Sequence, residues 1–577
     1  MKFGPRLWLT VFLLSLGSLS AQSSGLIPLR LKEMPRQDRI PKQKAKSSPL
    51  LESEPASELP RELPSEAWPG EQFAQSVQAQ LDRLASASTS EELRSLLAKS
   101  FQASELETPL LKNEVNHYQG SLTQQKLTSP EAFVKKLTAL GKIKIKVIDA
   151  TGKSTHLHVE ANRTNPKRAE YSATWLCSWE HAVGEPPRLS SLQVEHFGVV
   201  FSPKVWMQDA THTVLADNPR YIPQVLHGIE YWAQRITRIG DLAMTGHHGI
   251  AVGDVNGDGL EDLYVCDGGS LPNQLYLQQA DGTAREVAAK WDVDWLEDSR
   301  GALLIDLDND GDQDLVVATI AMIAFAENNG VGKFILRGGF PGAPYPFSLS
   351  AADFDRDGDL DLYTCVYSKS DQASFGKRGF EATSPVPFND AENGGSNVLL
   401  ANLGNFNFRD VTKQVGLDQN NTRWSFAAAW DDYDRDGDPD LYVANDFGRN
   451  CLYRNDKGHF TNVAKEAGVE DIGAGMSVSW GDSNRDGSSD ILVGNMFSSA
   501  GRRVASQRSF TAPLTRMARG NSLFTTSQSG FQDSPETVGL THSGWAWSSA
   551  FADLDNDGWQ DVIVANGYLS NTRDNDL

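Results

Sequence analysis

Six nine-residue stretches carry the side chains of this sequence that could do chemistry. They are DVNGDGLED from Asp254, DLDNDGDQD from Asp306, DFDRDGDLD from Asp353, DYDRDGDPD from Asp432, DSNRDGSSD from Asp482 and DLDNDGWQD from Asp553. Each sets Asp or Asn at positions 1, 3, 5 and 9 and glycine at position 6. The first offers Asp254, Asn256, Asp258 and Asp262, and the second Asp306, Asp308, Asp310 and Asp314. The third offers Asp353, Asp355, Asp357 and Asp361, and the fourth Asp432, Asp434, Asp436 and Asp440. The fifth offers Asp482, Asn484, Asp486 and Asp490, and the sixth Asp553, Asp555, Asp557 and Asp561. An oxygen-only set of this kind suits calcium, which takes about 6–8 oxygen ligands at roughly 2.3–2.6 Å. Positions 1, 3 and 5 turn toward a common centre, the glycine permits a sharp turn and position 9 closes the shell. Position 7 (Leu260, Asp312, Asp359, Asp438, Ser488 and Trp559) offers its backbone carbonyl. Asn256 and Asn484 supply neutral oxygens, so the first and fifth sites are expected to bind more weakly. The cofactor expected is Ca2+, up to six ions.

Asp-Gly pairs also make plain polar hairpin turns, but six loops with every ligand position filled exceed what a turn requires. An EF-hand is excluded. Its bidentate Glu at position 12 is replaced by Val265, Val317, Thr364, Val443, Val493 and Val564, and the flanks read as strands.

The elements that must position these loops are therefore strands, such as GIAVG before the first loop and DLYVC after it. Successive loops start 52, 47, 79, 50 and 71 residues apart. A unit of about 50 residues holding several short strands predicts a mainly β fold, a β-propeller of six to seven blades. The two long intervals hold insertions, 368–395 and 496–522, and the second has five arginines and no acidic residue. Insertions on a rigid scaffold are common seats of partner binding, a solvated flap being the plainer alternative. Cys266 and Cys365 fall in a slot that other repeats fill with Ala318, Ala444, Gly494 and Ala565. Such a slot is a tight strand position where cysteine acts as a small hydrophobe. Neither these two nor Cys177 and Cys451 form a CxxC, so thiol or zinc chemistry is not expected.

At this point the chain resembles a known family. GIAVGDVNGDGLEDLYV and its counterparts resemble FG-GAP/VCBS repeats, the calcium-bound blades of the integrin α-chain propeller. NVLLANLGNFNFRDVTKQVGL, NCLYRNDKGHFTNVAKEAGV and GMSVSWGDSNRDGSSDILVGNMFSSAGRR are similar to bacterial proteins of the cartilage acidic protein (CRTAC/ASPIC-UnbV) group. The resemblance covers roughly 245–570 and implies a calcium-stabilised propeller with a binding or adhesion role. That group commonly continues into a C-terminal domain, whereas this sequence ends at Leu577 after DVIVANGYLSN. Either an upstream strand closes the ring or the chain is a truncated version of a longer protein.

The rest of the chain gives weaker signals. Residues 1–21 read as a signal peptide, with Lys2 and Arg6 before an apolar run from Leu7 to Leu16. That run is well short of the roughly 20 residues that span a bilayer. Residues 22–70 read as a disordered Pro/Ser/Glu-rich linker. Residues 71–205 predict a small α+β domain. Its helices are FAQSVQAQLDRLAS, ELRSLLAKSF behind a Ser88/Glu91 capping box, and SPEAFVKKLTAL capped by Ser129. Two hairpins of strands follow. The order resembles the NTF2-like cone in topology, where Trp175, Trp179, His156 and His158 would line a pocket. The alternative makes them core aromatics and exposed strand histidines. Residues 206–245 predict a connecting helix with Tyr231 and Trp232 on its packing face, and 246–577 the propeller.

The six loops hold 26 Asp and Glu and three Arg, which accounts for the whole net charge of −22. The acidity is local, and it argues against nucleic acid as a partner. The expectation is a protein exported to the periplasm or beyond, with no integral membrane span, binding a protein or glycan. Propellers also host hydrolases and lyases, and the α+β domain is an alternative seat for a small ligand. No GxSxG, SxDxGxTW box or histidine cluster marks an enzyme; His247, His248 and His542 are the histidines placed near the channel.

Overall fold

The computed structural model describes residues 69–566 except 88, 105–115, 121–126, 165–167, 183–184, 203–206, 228–230, 233–234, 236–248, 268–270, 344, 370–384, 388–389, 500, 504–511, 528–529, 535–538 and 542. The expected signal peptide, most of the expected linker, Ser88, His247, His248 and His542 lie outside the described residues.

The first unit has helices α1 (Pro69–Ser86), α2 (Ser90–Ser95) and α3 (Pro130–Ala139). Its strands are β1 (Leu97–Ser104), β2 (Asn116–Gly120), β3 (Leu127–Thr128), β4 (Lys142–Thr151), β5 (Ser154–Arg163), β6 (Arg168–Glu180) and β7 (Arg188–Ser202). The sheet runs β3-β1-β7-β6-β5-β4, with β2 also on β7. Val77, Leu81 and Leu84 form the buried stripe of α1. Ser129 caps α3, its hydroxyl accepting the Ala132 N–H at 3.2 Å. The helix expected over ELRSLLAKSF is corrected: it begins at Ser90 behind a Thr89 cap and stops after six residues. The chain then enters β1, where parallel pairing with β7 and burial of Leu97, Phe101 and Ala103 override helix propensity.

The pocket reading of this unit is also corrected. Trp175 and Trp179 are 1% and 3% exposed, inside one apolar core with Phe133, Leu157 and Leu189. Their indole N–H groups are satisfied by the Tyr171 hydroxyl at 3.3 Å and the Thr155 hydroxyl at 2.9 Å. His158 is buried too, edge-on to Phe497 at 6.2 Å, while His156 is half-exposed between Asp149 and Glu195.

In the connecting segment the described residues form two short helical pieces, Thr211–Leu215 and Tyr221–Val225, and Tyr231 and Trp232 are helical, while 228–230, 233–234 and 236–245 lie outside the described residues. Leu215 and Tyr221 pack on Leu263 and Tyr276 and cover one face of the first repeat sheet. Tyr231 and Trp232 pack on each other and on His227.

From Ile250 the chain builds small antiparallel sheets in succession. Five are four-stranded meanders, and among the described residues the sixth has two strands, Ala546–Ala552 and Asp561–Asn566. No strand upstream of Gly249 pairs with that sixth sheet among the described residues. The second strand of each of the first five sheets, such as Asp440–Asn445, is almost wholly buried. The period-two geometry of a strand explains its continuous apolar text. Leu441 and Val443 face the third sheet with Tyr363 and Leu399, while Tyr442 and Ala444 face the fifth with Ile491 and Val493. The fourth sheet thus buries both faces, and successive first strands pack side by side. All four cysteines are free and buried, as the small-slot reading requires.

Candidate metal centre

Every nonapeptide is the link between the first and second strands of its sheet, and position 12 lies within the second strand, at its end in the first sheet. The turn is held by its own carboxylates. At position 1, Oδ2 accepts the glycine N–H of position 6 in all six loops, at 2.7–3.0 Å. At position 5, Oδ1 accepts the N–H of position 7, as Asp436 does from Asp438 at 2.9 Å. Position 6 lies in the left-handed region, with φ of +97° at Gly358 and +95° at Gly437, which explains why glycine recurs there.

Four loops bring three carboxylates to one point, with ligand oxygens within 4.8 Å of one another. These sets are Asp306, Asp308 and Asp314; Asp353, Asp355 and Asp357; Asp432, Asp434 and Asp440; and Asp553, Asp555 and Asp557. The loops with Asn256 and Asn484 form no such carboxylate trio among the described residues. In five loops Oδ1 of position 1 accepts the position 5 N–H. In the fourth loop Asp432 Oδ1 is buried without a hydrogen bond, and so is Asp308 Oδ1 at position 3 of the second. A buried carboxylate oxygen without a donor is costly unless a cation takes it. Burial, and then the neighbouring position 5 carboxylate, raises the pKa of Asp308, Asp355 and Asp434. The residues present therefore fit a hard, oxygen-seeking cation.

Position 9 has a second job that spacing did not reveal. Its Oδ2 accepts the N–H of position 2, from Val255, Leu307, Phe354, Tyr433, Ser483 and Leu554 at 2.9–3.2 Å. In the first five sheets its Oδ1 accepts a third-strand N–H, from Gln278, Asn328, Asn402, Asn455 and Thr526. Burial pushes the carboxyls of Asp262, Asp314, Asp361 and Asp440 up to about 7, partly opposed by these N–H donors. Position 9 is thus a sheet anchor as well as a candidate ligand. Among the described residues Asp561 has the first bond alone, and it is exposed.

Position 7 varies in its surroundings. Leu260, Asp312, Asp359, Asp438, Ser488 and Trp559 each donate their N–H to position 5. Asp438 is buried, whereas Trp559 is 47% exposed. Sequence reasoning missed three asparagines that end third strands. The side-chain amides of Asn328, Asn402 and Asn455 donate at 2.8 Å to the carbonyls of Val255, Leu307 and Phe354, in the loop of the preceding sheet. The signal was available as an Asn two or three residues before a glycine in AENNG, LANLG and YRNDKG, where it reads as a plain turn.

Three arginines of the 496–522 insertion, Arg503, Arg516 and Arg519, are engaged within the chain. Arg516 binds Asp471 and Asp533, and Arg519 binds Asp533. Arg503 forks onto Glu71 of α1 at 2.9 and 3.2 Å and donates to the Val147 carbonyl of β4. This stretch docks on the first unit. Of the other insertion, 370–384 lie outside the described residues, and Asp390 returns it to Arg449 at 2.9 Å.

Comparison with known proteins agrees with the geometry. Residues 254–317, 306–364, 432–493 and 514–564 match the FG-GAP-like repeat. Cartilage acidic protein 1 of Xenopus tropicalis is 33% identical over 129 residues, 21% of this chain and 19% of that relative, so the match spans about a fifth of it. Among solved structures, an Agrocybe aegerita lectin that recognises non-reducing terminal N-acetylglucosamine is 13% identical. It covers 71% of this chain and 85% of its own at a TM-score of 0.31. The V. cholerae biofilm matrix protein Bap1 is 15% identical over 50% of this chain and 38% of its own, at a TM-score of 0.27. Likenesses at that level carry no functional argument. The repeats, their loops and the family match make 254–364, 432–493 and 514–564 FG-GAP-like repeats, within a chain of which about a fifth is similar to cartilage acidic protein 1.

Proposed function

We propose that this chain is an exported, calcium-stapled β-propeller that binds a protein or glycan outside the cytoplasm and has no catalytic activity of its own. The observation that carries the metal part is the pair of buried, donorless carboxylate oxygens on Asp308 and Asp432 inside three-carboxylate clusters. Mutual repulsion of those carboxylates opposes folding, and a divalent cation offsets it. Binding to the folded state alone stabilises by RT ln(1 + [L]/Kd) per site. The extracellular binding role rests on the FG-GAP repeats and the cartilage acidic protein match. Export agrees with the absence, among the described residues, of any helix long and apolar enough to cross a membrane. A small-ligand role for the first unit loses its support with Trp175 and Trp179 packed in the core.

The test is binding of the immobilised full chain to envelope and matrix glycans and proteins, in calcium and after chelation. Saturable binding that chelation abolishes is expected. Turnover of a glycoside or ester by the purified chain would favour the enzyme reading instead.

A further inference from the structure

Position 4 of each loop is occupied by Gly257, Asn309, Arg356, Arg435, Arg485 and Asn556, and all six have positive φ, between 58° and 70°. This conformation turns the residue away from the ligand side chains at 3 and 5. Where a side chain is present, four loops send it to positions 6 and 7 of the next loop. Asn309 Nδ2 donates to the Gly358 carbonyl at 3.3 Å and to Asp359 at 2.7 Å. Arg356 Nη1 lies 3.5 Å from Asp438 Oδ1. Arg435 donates to the Gly487 carbonyl and, at 3.3 Å, to the Ser488 hydroxyl. The Arg485 guanidinium stands 5.1 Å from the Trp559 ring centroid. A Cβ added at Gly437 or Gly558 would meet Arg356 at 3.2 Å or Arg485 at 3.5 Å, so the guanidinium lies against the glycine turn itself. Gly257 has no side chain to send, which leaves the first loop out of the series.

We propose that the position 4 side chains relay cation occupancy from each loop to the next, so that the second to sixth loops form one directional series and the first loop stands apart. The inference rests on the cation reading above. A cation drawing positions 1, 3 and 5 together fixes the positive-φ residue between them. Its side chain then holds the glycine turn and position 7 of the following loop in the geometry that loop needs for its own cation. Ordering done by the first ion is ordering the second no longer has to do, which is positive coupling.

The test uses terbium, an oxygen-seeking cation whose luminescence Trp559 sensitises at the sixth loop, on the full chain. The part of the signal lost in Trp559→Leu, which copies Leu260, belongs to that loop. Asp486→Asn weakens the fifth loop and is expected to weaken terbium affinity at the sixth by about five-fold or more. In an Arg485→Gly background, which copies Gly257 and keeps the positive φ, the same substitution is expected to leave the sixth loop unchanged. Any direct effect of the arginine charge on the sixth loop appears in the single variant and cancels in the cycle. Circular dichroism at saturating calcium checks folding, and Asn484→Ala replaces Asp486→Asn if the latter fails to fold. An equal effect with and without Arg485, or none in either, overturns the relay while leaving the cation sites intact. The absence of any saturable Trp559-dependent signal overturns both.

Discussion

At the residue scale, aspartates that look equivalent in the repeat divide into two kinds. Asp434 has its carboxyl pKa raised by burial and by Asp436, so it gains from a cation; Asp440, raised by burial too, also accepts the Tyr433 and Asn455 N–H groups and so anchors the sheet. Asp440→Ala is expected to destabilise by about 2–4 kcal/mol with or without calcium, because two N–H groups lose their acceptor. Asp434→Asn is expected to lower the melting temperature in calcium and to leave the chelated protein unchanged or more stable. Melting curves of both variants in both conditions check this. Away from the loops, burial pushes Asp446 up to about 6 although it accepts the Tyr367 hydroxyl at 2.6 Å. A carboxyl raised in the folded state stabilises fully below its unfolded pKa, and that contribution is lost as pH rises from about 4 to about 6. Asp446→Asn is therefore expected to gain stability relative to wild type across that window, read as a widening melting-temperature difference at fixed calcium. The loop positions 1, 3, 5, 6 and 9 were legible because their residue types recur at fixed spacing in all six repeats. The double role of position 9 and the sideways reach of position 4 were not, since both depend on where a neighbouring strand or loop comes to lie.

At the scale of elements, the strand-loop-strand unit could be read from the loop spacing and the strand-like flanks, while the burial of Asp440–Asn445 on both faces came from the structure. The failures share one cause. ELRSLLAKSF has helical text and becomes strand past Leu96 because β7 offers a pairing edge. Asn455 reads as a turn residue, yet it bridges the Phe354 and Pro439 carbonyls of two adjacent sheets. Asn455→Ala is expected to cost about 2–3 kcal/mol by leaving buried carbonyls without a donor. Chemical denaturation at saturating calcium would measure it, with an unchanged m-value expected because the exposed surface stays the same.

For the whole molecule, the repeats are an acidic scaffold joined at the fifth sheet to a unit with its own core. Arg503 and Glu71, both mostly buried, form the ion pair across that junction. Charge reversal by Arg503→Glu should open the contact, seen as faster amide exchange in α1, and Glu71→Arg in the same chain should restore protection. The arginine-rich text of 496–522 gave no sign of this, because sequence shows a free charge but not the partner that meets it. Melting the calcium-loaded full chain with and without excess EDTA tests most directly whether cations hold the repeats together. Four or more sites, each contributing about 1–3 kcal/mol at millimolar calcium, predict a fall of about 10 °C or more on chelation. Superimposable melting curves would contradict it.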